Sequence, residues 1–271
     1  DVRSGVIIPK RALRANRLRL SATPQRLLIA GLATVDGIAV DATWEQKIGP
    51  EHAGKSALSA TVALSQQALD AFNITLPPGT VTGAGQGTLD VALQKGRAPA
   101  FTLTSDLRGI GVSIPVVGWR KGRDTRGELR VAGTLGPVAQ ITTLNIAGSG
   151  LTAWGDVALN ADGTLDRARF AQLQIGSWLD APVTLRGRGK GRPVGITIGS
   201  GRVDLRGASL LGGDGQGGPL AVRLGRLQIA QGIRLDDFRG DFASNGGFNG
   251  QFSGRLNGGP RVQGTVVPQS G

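Results

Sequence analysis

Residues 141–175 read ITTLNIAGSGLTAWGDVALNADGTLDRARFAQLQI and contain three short apolar runs separated by glycine-containing turns. In the middle run Val157 and Leu159 point to one side and Asp156 to the other. This period of two is typical of a strand with one apolar and one solvent-facing side. The Asp-Gly pair at 162–163 supplies the positive φ that a tight hairpin turn requires. The stretch therefore predicts an antiparallel β-meander.

The same alternation recurs along most of the chain and predicts an all-β fold, a long antiparallel β-meander. The predicted strands are 17–22, 26–35, 38–44, 57–64, 87–93, 100–107, 126–135, 141–147, 151–159, 165–175, 182–188, 194–198, 202–205, 220–229, 231–238, 248–256 and 261–267. One short helix is predicted at 65–72, where Ala68, Leu69 and Phe72 have helical spacing and Ser65 is a suitable N-cap. Residues 109–124 are predicted to form a longer connection, and 212–218 a glycine-rich loop.

The composition favours aliphatic rather than aromatic packing. The chain has 271 residues, of which 39% are hydrophobic but only 4% aromatic, and it contains 45 glycines and no Cys, Met or Tyr. The lack of cysteine excludes disulfides and thiolate metal sites. No composition break marks a domain boundary, so residues 1–271 are predicted to form a single segment. The first residue is Asp1 rather than Met, which predicts an excised or processed piece of a longer protein.

The chain is strongly basic, with 31 Lys and Arg against 19 Asp and Glu and a formal net charge of +12. The basic residues are scattered along the chain instead of being gathered on one motif. Such a surface is compatible with nucleic acid, anionic lipid head groups or acidic polymers. The alternative is that scattered charges simply keep a sheet soluble.

One motif suggests nucleotide chemistry. Residues 49–56, GPEHAGKS, match the phosphate-binding pattern GxxxxGK[ST], which requires a buried strand before it and a helix after it. Here a polar run precedes the motif and the strand-like SALSATVAL follows, so the context predicts a hairpin loop. His52 is the only histidine, which excludes histidine-based triads and multi-histidine metal sites. We therefore expect no enzymatic activity, no cofactor and no metal site.

Several segments together resemble the AsmA-like proteins of the Gram-negative envelope, in particular the YhdP-type branch. They are GSGLTAWGDVALNADGTLDRARFAQLQIG in the opening stretch, LSQQALDAFNITLPPG, GQGTLDVAL, SDLRGIGVSIPVVGWRK, PVTLRGRG and NGGPRVQGTVVP. The resemblance implies antiparallel strands curled into an open hydrophobic groove, a half-pipe related to bridge-like lipid-transfer proteins. It also implies that this chain is a middle fragment of a larger periplasmic protein, with an inner-membrane anchor in a segment outside this chain. The implied activity is phospholipid transport between the inner and outer membranes. It supplies no catalytic residues.

An antiparallel sheet with one apolar face must hide that face from water, and bound acyl chains can cover it. We therefore predict phospholipids as the partner and expect no nucleic-acid partner. The candidate lining residues are Leu89, Val91, Leu93, Phe101, Leu103, Leu129, Val131, Leu144, Ile146, Val157, Leu159, Phe170, Val183 and Leu185. The alternatives are a structural or adhesive closed β-domain, a polyanion binder and a nucleotide binder.

Overall fold

The computed structural model describes residues 13–15, 17–71, 74, 76, 79–114, 118–208, 216–245 and 249–267. Within this part of the chain almost all regular structure is β. The strands are β1 (Leu13–Ala15), β2 (Arg19–Thr23), β3 (Arg26–Val35), β4 (Ile38–Lys47), β5 (Lys55–Ser65), β6 (Val81–Gln94), β7 (Ala100–Ser105), β8 (Ile110–Ile114), β9 (Trp119–Lys121), β10 (Glu128–Thr134), β11 (Gln140–Gly148), β12 (Leu151–Leu159), β13 (Leu165–Ile175), β14 (Leu179–Arg186), β15 (Gly195–Ile198), β16 (Arg202–Asp204), β17 (Gln216–Ala230), β18 (Ile233–Asn245), β19 (Asn249–Leu256) and β20 (Arg261–Val266). The prediction of an all-β meander is confirmed.

The one α-helix of the described residues, α1 (Gln66–Ala71), follows β5 directly. Its N-terminus is capped as predicted, because the Ala68 amide donates a hydrogen bond to Ser65 Oγ over 3.2 Å. Ala68 is buried, and the helix lies against β5 and β6. Phe72, the predicted last residue of the helix, lies outside the described residues.

Contacts divide the chain into two compact units. Unit 1 comprises Asp1–Val112, Gly122–Leu144 and Ala161–Gly163, and unit 2 comprises Ser113–Lys121, Asn145–Asn160 and Thr164–Gly271. The single-segment organisation expected from the sequence stays a prediction.

Unit 1 is a meander in which β2, β3, β4, β5, β6, β7 and β10 pair antiparallel in that order. The turn between β3 and β4 shows how the sequence produces it. Asp36 and Gly37 both have positive φ, 48° and 85°, as a two-residue hairpin turn requires. A further short strand, β1, pairs with β3, and β8 pairs with the first residues of β6.

In unit 2, β12, β13 and β14 pair antiparallel, and so do β17, β18, β19 and β20. The strands β15 and β16 join these two groups. Both pair antiparallel with β14 and parallel with β17. The prediction of antiparallel pairing throughout is wrong at this point, because β17 runs in the same direction as β15 and β16.

Three loop and boundary predictions are also corrected. The connection predicted at 109–124 contains β8 and β9, and Gln216–Gly218 of the predicted glycine-rich loop belong to β17. The remaining residues of that loop, 212–215, lie outside the described part of the chain. The strand predicted to begin at Gly87 begins at Val81.

The motif at 49–56 forms the connection between β4 and β5, as predicted. A short 3-10 turn spans Pro50–His52, and Lys55 and Ser56 are the first residues of β5. Because a strand rather than a helix follows, no helix N-terminus meets the backbone of this loop, and the phosphate-binding frame is not formed.

Candidate functional site

The register of unit 1 brings most of its predicted lining residues to one face of the sheet. Directly opposed residues on paired strands share a face. Leu103 on β7 lies opposite Leu89 on β6 and opposite Val131 on β10. Val91 on β6 lies opposite Phe101, and Leu129 shares the face through its partner Ser105 on β7.

This face extends across β5, β4 and β3 through residues that the sequence analysis did not include in the lining. Leu58 on β5 pairs with Val91 and with Trp44 on β4, and Trp44 pairs with Ile29 on β3. The same alternation that marked the candidates could have identified these residues. We call the surface the aliphatic face of unit 1; it consists of Ile29, Ala33, Val35, Ile38, Val40, Ala42, Trp44, Leu58, Ala60, Val62, Leu64, Leu89, Val91, Leu93, Phe101, Leu103, Leu129 and Val131.

The few polar side chains among these positions are hydrogen-bonded within the sheet. Trp44 Nε1 donates to Ser56 Oγ over 3.2 Å, and Ser105 Oγ donates to the Gln86 carbonyl over 2.7 Å. These hydrogen bonds matter because a polar side chain that faces hydrocarbon without a hydrogen-bond partner costs free energy. With these groups paired, the face presents mainly hydrocarbon.

The opposite side of the same sheet, the polar face of unit 1, has a different composition. Ser59 on β5 donates to Asp90 on β6 over 2.7 Å, and Arg26 lies 3.7 Å from Glu45. Leu32 is an exception on this side, since it lies opposite Asp41 and is 71% exposed. Unit 1 is thus a sheet with two chemically distinct faces.

Unit 2 has an aliphatic face of the same kind. Val157 on β12 lies opposite Ala168 on β13, Phe170 opposite Val183 on β14, and Ala168 opposite Leu185. The aliphatic face of unit 2 consists of Leu151, Ala153, Val157, Leu159, Leu165, Ala168, Phe170, Leu173, Ile175, Leu179, Ala181, Val183, Leu185, Ile196, Ile198, Val203, Leu220, Val222, Leu224, Leu227, Leu235, Phe238, Phe242, Phe252, Leu256, Val262 and Val266. Phe238 and Phe252 stack on it with ring centroids 5.9 Å apart.

The predicted lining residues are less buried than an ordinary core, although other members of the aliphatic faces, such as Leu151, Leu179 and Leu224, are buried. Of the fourteen predicted lining residues, only Val91 and Val183 are buried, at 4% and 5% exposure, and the other twelve are half-buried. Leu144 and Ile146 lie two residues apart on β11 and so share one side of that strand. Aliphatic side chains in a closed core are normally fully buried. Here most remain partly accessible.

The polar face of unit 2 is crossed by ion pairs. Asp156 on β12 accepts a hydrogen bond from Arg169 Nε over 3.0 Å, and both oxygens of Asp241 accept from Arg223 at 2.9 Å. Asp236 lies 2.9 Å from Arg234 and 3.6 Å from Arg226, and the hydrogen bond from Arg234 is the main cause that lowers the pKa of its carboxyl. These contacts fix charges on the side of the sheet opposite the aliphatic face.

Within the described part of the chain, no three His, Cys, Asp or Glu side chains come together in a way that would hold a metal ion. The described helix is too short and too polar to cross a bilayer. Comparisons with protein-family models, with characterised proteins and with solved structures gave no match. The resemblance to the AsmA-like proteins therefore stays a prediction.

Proposed function

We propose that the chain binds phospholipids by covering its aliphatic faces with their acyl chains, and that this binding serves phospholipid transport across the periplasm. In this proposal the sheets form the wall of an open hydrophobic groove, and head groups remain in water. The observation that carries the proposal is the partial exposure of twelve of the fourteen predicted lining residues. A surface built of paired Leu, Val, Ile and Phe residues that stays accessible requires an apolar partner.

The energy available from such contacts is adequate. Burying one methylene group is worth about 0.8 kcal/mol, so a 16-carbon chain would gain on the order of 10 kcal/mol before the cost of association. The faces offer few side-chain hydrogen-bond donors or acceptors, and these are already paired within the sheet. A surface of this kind does not fix the ligand in one orientation, which favours sliding of a chain along the strands over tight capture.

The proposal is tested by locating bound lipid on the protein. Because the chain has no cysteine, single cysteines introduced as Val131→Cys, Val157→Cys and Leu32→Cys can each carry a fluorophore. Phospholipid with a nitroxide on its acyl chain should quench the label at 131 and at 157, on the two aliphatic faces. Leu32 is the matched control, since it is an aliphatic residue exposed on the polar face of unit 1. Equal quenching at all three positions, or none at 131 and 157, would contradict the proposal.

A second measurement asks whether lipid is bound by the protein as purified. Native mass spectrometry of the unmodified chain should show phospholipid adducts. We expect Val131→Asp and Val157→Asp to lose most of the adduct and Leu32→Asp to keep it, because only the first two place a charge against an acyl chain. Circular dichroism identifies any variant that has failed to fold. If the purified chain shows no phospholipid adduct, the structural or adhesive alternative would be favoured.

A further inference from the structure

A depression of about 500 Å³ lies on the polar face of unit 2, on the side of the sheet opposite the aliphatic residues. Its walls come from β12, β13, β14 and β16. The residues that line it include Trp154, Gln172, Asp180, Pro182, Ser200 and Arg202. All of them belong to unit 2.

Two irregularities of the sheet create the depression. On β13 the pairing with β14 shifts between Phe170 and Leu173, so that the extra residues, Ala171 and Gln172, bulge opposite Pro182. The other is the interruption between β15 and β16, where Gly201 packs directly on β14. A Cβ at Gly201 would lie 2.4 Å from the Asp180 carbonyl oxygen and 2.5 Å from Ala181 Cβ. Only glycine allows this close approach, which shapes the floor of the depression.

A chain of side-chain contacts runs across the depression. Trp154 Nε1 donates to Gln172 Oε1 over 3.2 Å, and Gln172 Nε2 donates to Asp180 Oδ1 over 3.2 Å. Arg202 completes the chain, with a guanidinium nitrogen 3.9 Å from Asp180 Oδ2. The glutamine uses both ends of its amide, so it holds the indole and the carboxylate in fixed relative positions.

The groups left for a ligand are an aromatic surface and a donor–acceptor pair. Trp154 is 48% exposed. The side chains of Arg202 and Asp180 are 63% and 37% exposed, and each has hydrogen-bonding capacity beyond its contact with the other. Ser200 adds a hydroxyl to the lining. An indole next to a few convergent polar groups is typical of a binding site for a ligand with one apolar side and polar edges.

From this arrangement we infer that the depression is a binding site for a neutral saccharide. A pyranose ring presents a face of C–H groups that stacks on an indole, and neighbouring hydroxyls at its edge that can donate to a carboxylate and accept from a guanidinium at the same time. The charges of Asp180 and Arg202 balance each other, so the site has no excess charge to attract a phosphate or a cation. The site lies on the face opposite the proposed lipid surface and does not depend on that proposal.

The inference is tested by nuclear magnetic resonance of the full chain labelled with ¹⁵N. The four tryptophans give separate indole N–H signals, and Trp154→Phe assigns the one of interest. Titration with the neutral disaccharides cellobiose, N,N′-diacetylchitobiose and maltose should shift the Trp154 signal in a saturable way with at least one sugar. The Trp44 signal, on the aliphatic face of unit 1, should not move.

Two variants sharpen the test. Trp154→Ala should weaken binding at least tenfold and Arg202→Ala several-fold, while both keep the phospholipid adducts of the unmodified chain. Binding unchanged by Trp154→Ala would overturn the inference, as would the absence of any saturable shift. A shift produced by inorganic phosphate but by no sugar would also overturn it, by showing an anion site. If the unmodified chain binds sugar but carries no phospholipid adducts, the result would contradict the proposed function and leave the saccharide site standing.

Discussion

Asp236 is the residue on which electrostatic contacts converge most clearly in unit 2. It lies on β18 directly opposite Arg226 on β17 and Arg255 on β19, and Arg234 on its own strand holds its carboxylate at 2.9 Å. The side chain is only 19% exposed. The hydrogen bond from Arg234 lowers the pKa of Asp236 from its ordinary value, although partial burial opposes that shift. Folding therefore favours the ionised form of this residue.

The sign of the resulting pH dependence follows from that shift. A carboxyl whose pKa is lowered by folding contributes stability that is fully present above its unfolded pKa and is lost as the pH falls through the folded pKa. We expect Asp236→Asn to be less stable than the unmodified chain at neutral pH. The difference in melting temperature should shrink as the pH is lowered from neutral to about 2, below the ordinary range for aspartate.

The matched control for this prediction is Asp41→Asn. Asp41 is exposed on the polar face of unit 1, opposite Leu32 and Thr61. Its carboxylate makes no hydrogen bond or ion pair with another described residue. Its replacement should leave the melting temperature nearly unchanged across the same range of pH. If the melting temperature of Asp236→Asn differs from that of the unmodified chain by the same amount at every pH, the ion pairs of Asp236 do not contribute to stability.

At the scale of the strands, bulges keep the apolar residues of unit 2 on one face. Leu224 and Leu227 on β17 are three residues apart, as are Leu235 and Phe238 on β18, yet in each pair both residues belong to the aliphatic face. A regular strand would place them on opposite sides. On β18 the alternation is corrected at Asp237, where φ is 51° and the register with β19 shifts between Asp236 and Arg239.

Gly155 marks another of these irregularities and gives a prediction for the element. It lies on β12 where the register with β13 shifts, and a Cβ at this position would meet the backbone, 1.9 Å from the Arg169 carbonyl oxygen and 2.8 Å from Phe170 Cα. Because neither atom belongs to a flexible side chain, the strands would have to separate. We expect Gly155→Ala to lower the free energy of unfolding by about 1–3 kcal/mol, as overpacking does.

Urea denaturation measures this loss, and Gly136→Ala is the control. The nearest atom to a Cβ at Gly136 is the Val138 carbonyl oxygen at 3.5 Å, which is ordinary contact. Its replacement should therefore change stability little. Equal effects of the two substitutions would mean that the close approach at Gly155 has no energetic consequence.

Most strands could be predicted from the sequence because the alternation of apolar and polar residues is a local property. Prediction failed where the structure depends on pairing between residues that are distant in the sequence. The parallel pairing of β15 and β16 with β17 has no local signal. The strands β8 and β9 were missed because Pro115 and several glycines interrupt the alternation between residues 109 and 124. The aliphatic face of unit 1 was predictable, since it needs only the alternation. The depression beside Trp154 was not, because it arises from a bulge opposite Pro182.

At the scale of the whole molecule, the net charge of +12 and the aliphatic faces predict different partners. Many arginines of the polar faces are engaged by carboxylates, as Arg167 and Arg169 are by Asp156. Arginines outnumber their acidic partners, however, so an excess of positive charge remains. Binding to a polyanion through this excess releases counterions and weakens steeply with salt. Binding of acyl chains by the aliphatic faces has no such dependence.

The dependence of affinity on acyl-chain length distinguishes binding by the aliphatic faces from binding by the basic surface. If the aliphatic faces bind hydrocarbon, the affinity for single-chain phospholipids should rise with each added methylene by up to about fourfold, the equivalent of about 0.8 kcal/mol. Titration calorimetry with monomeric lysophospholipids of increasing chain length measures this slope. Repeating one titration over a range of salt concentrations supplies the control, because the slope against chain length should persist while the affinity changes little. An affinity that is independent of chain length but falls steeply with salt would show that the basic surface, rather than the aliphatic faces, binds the ligand.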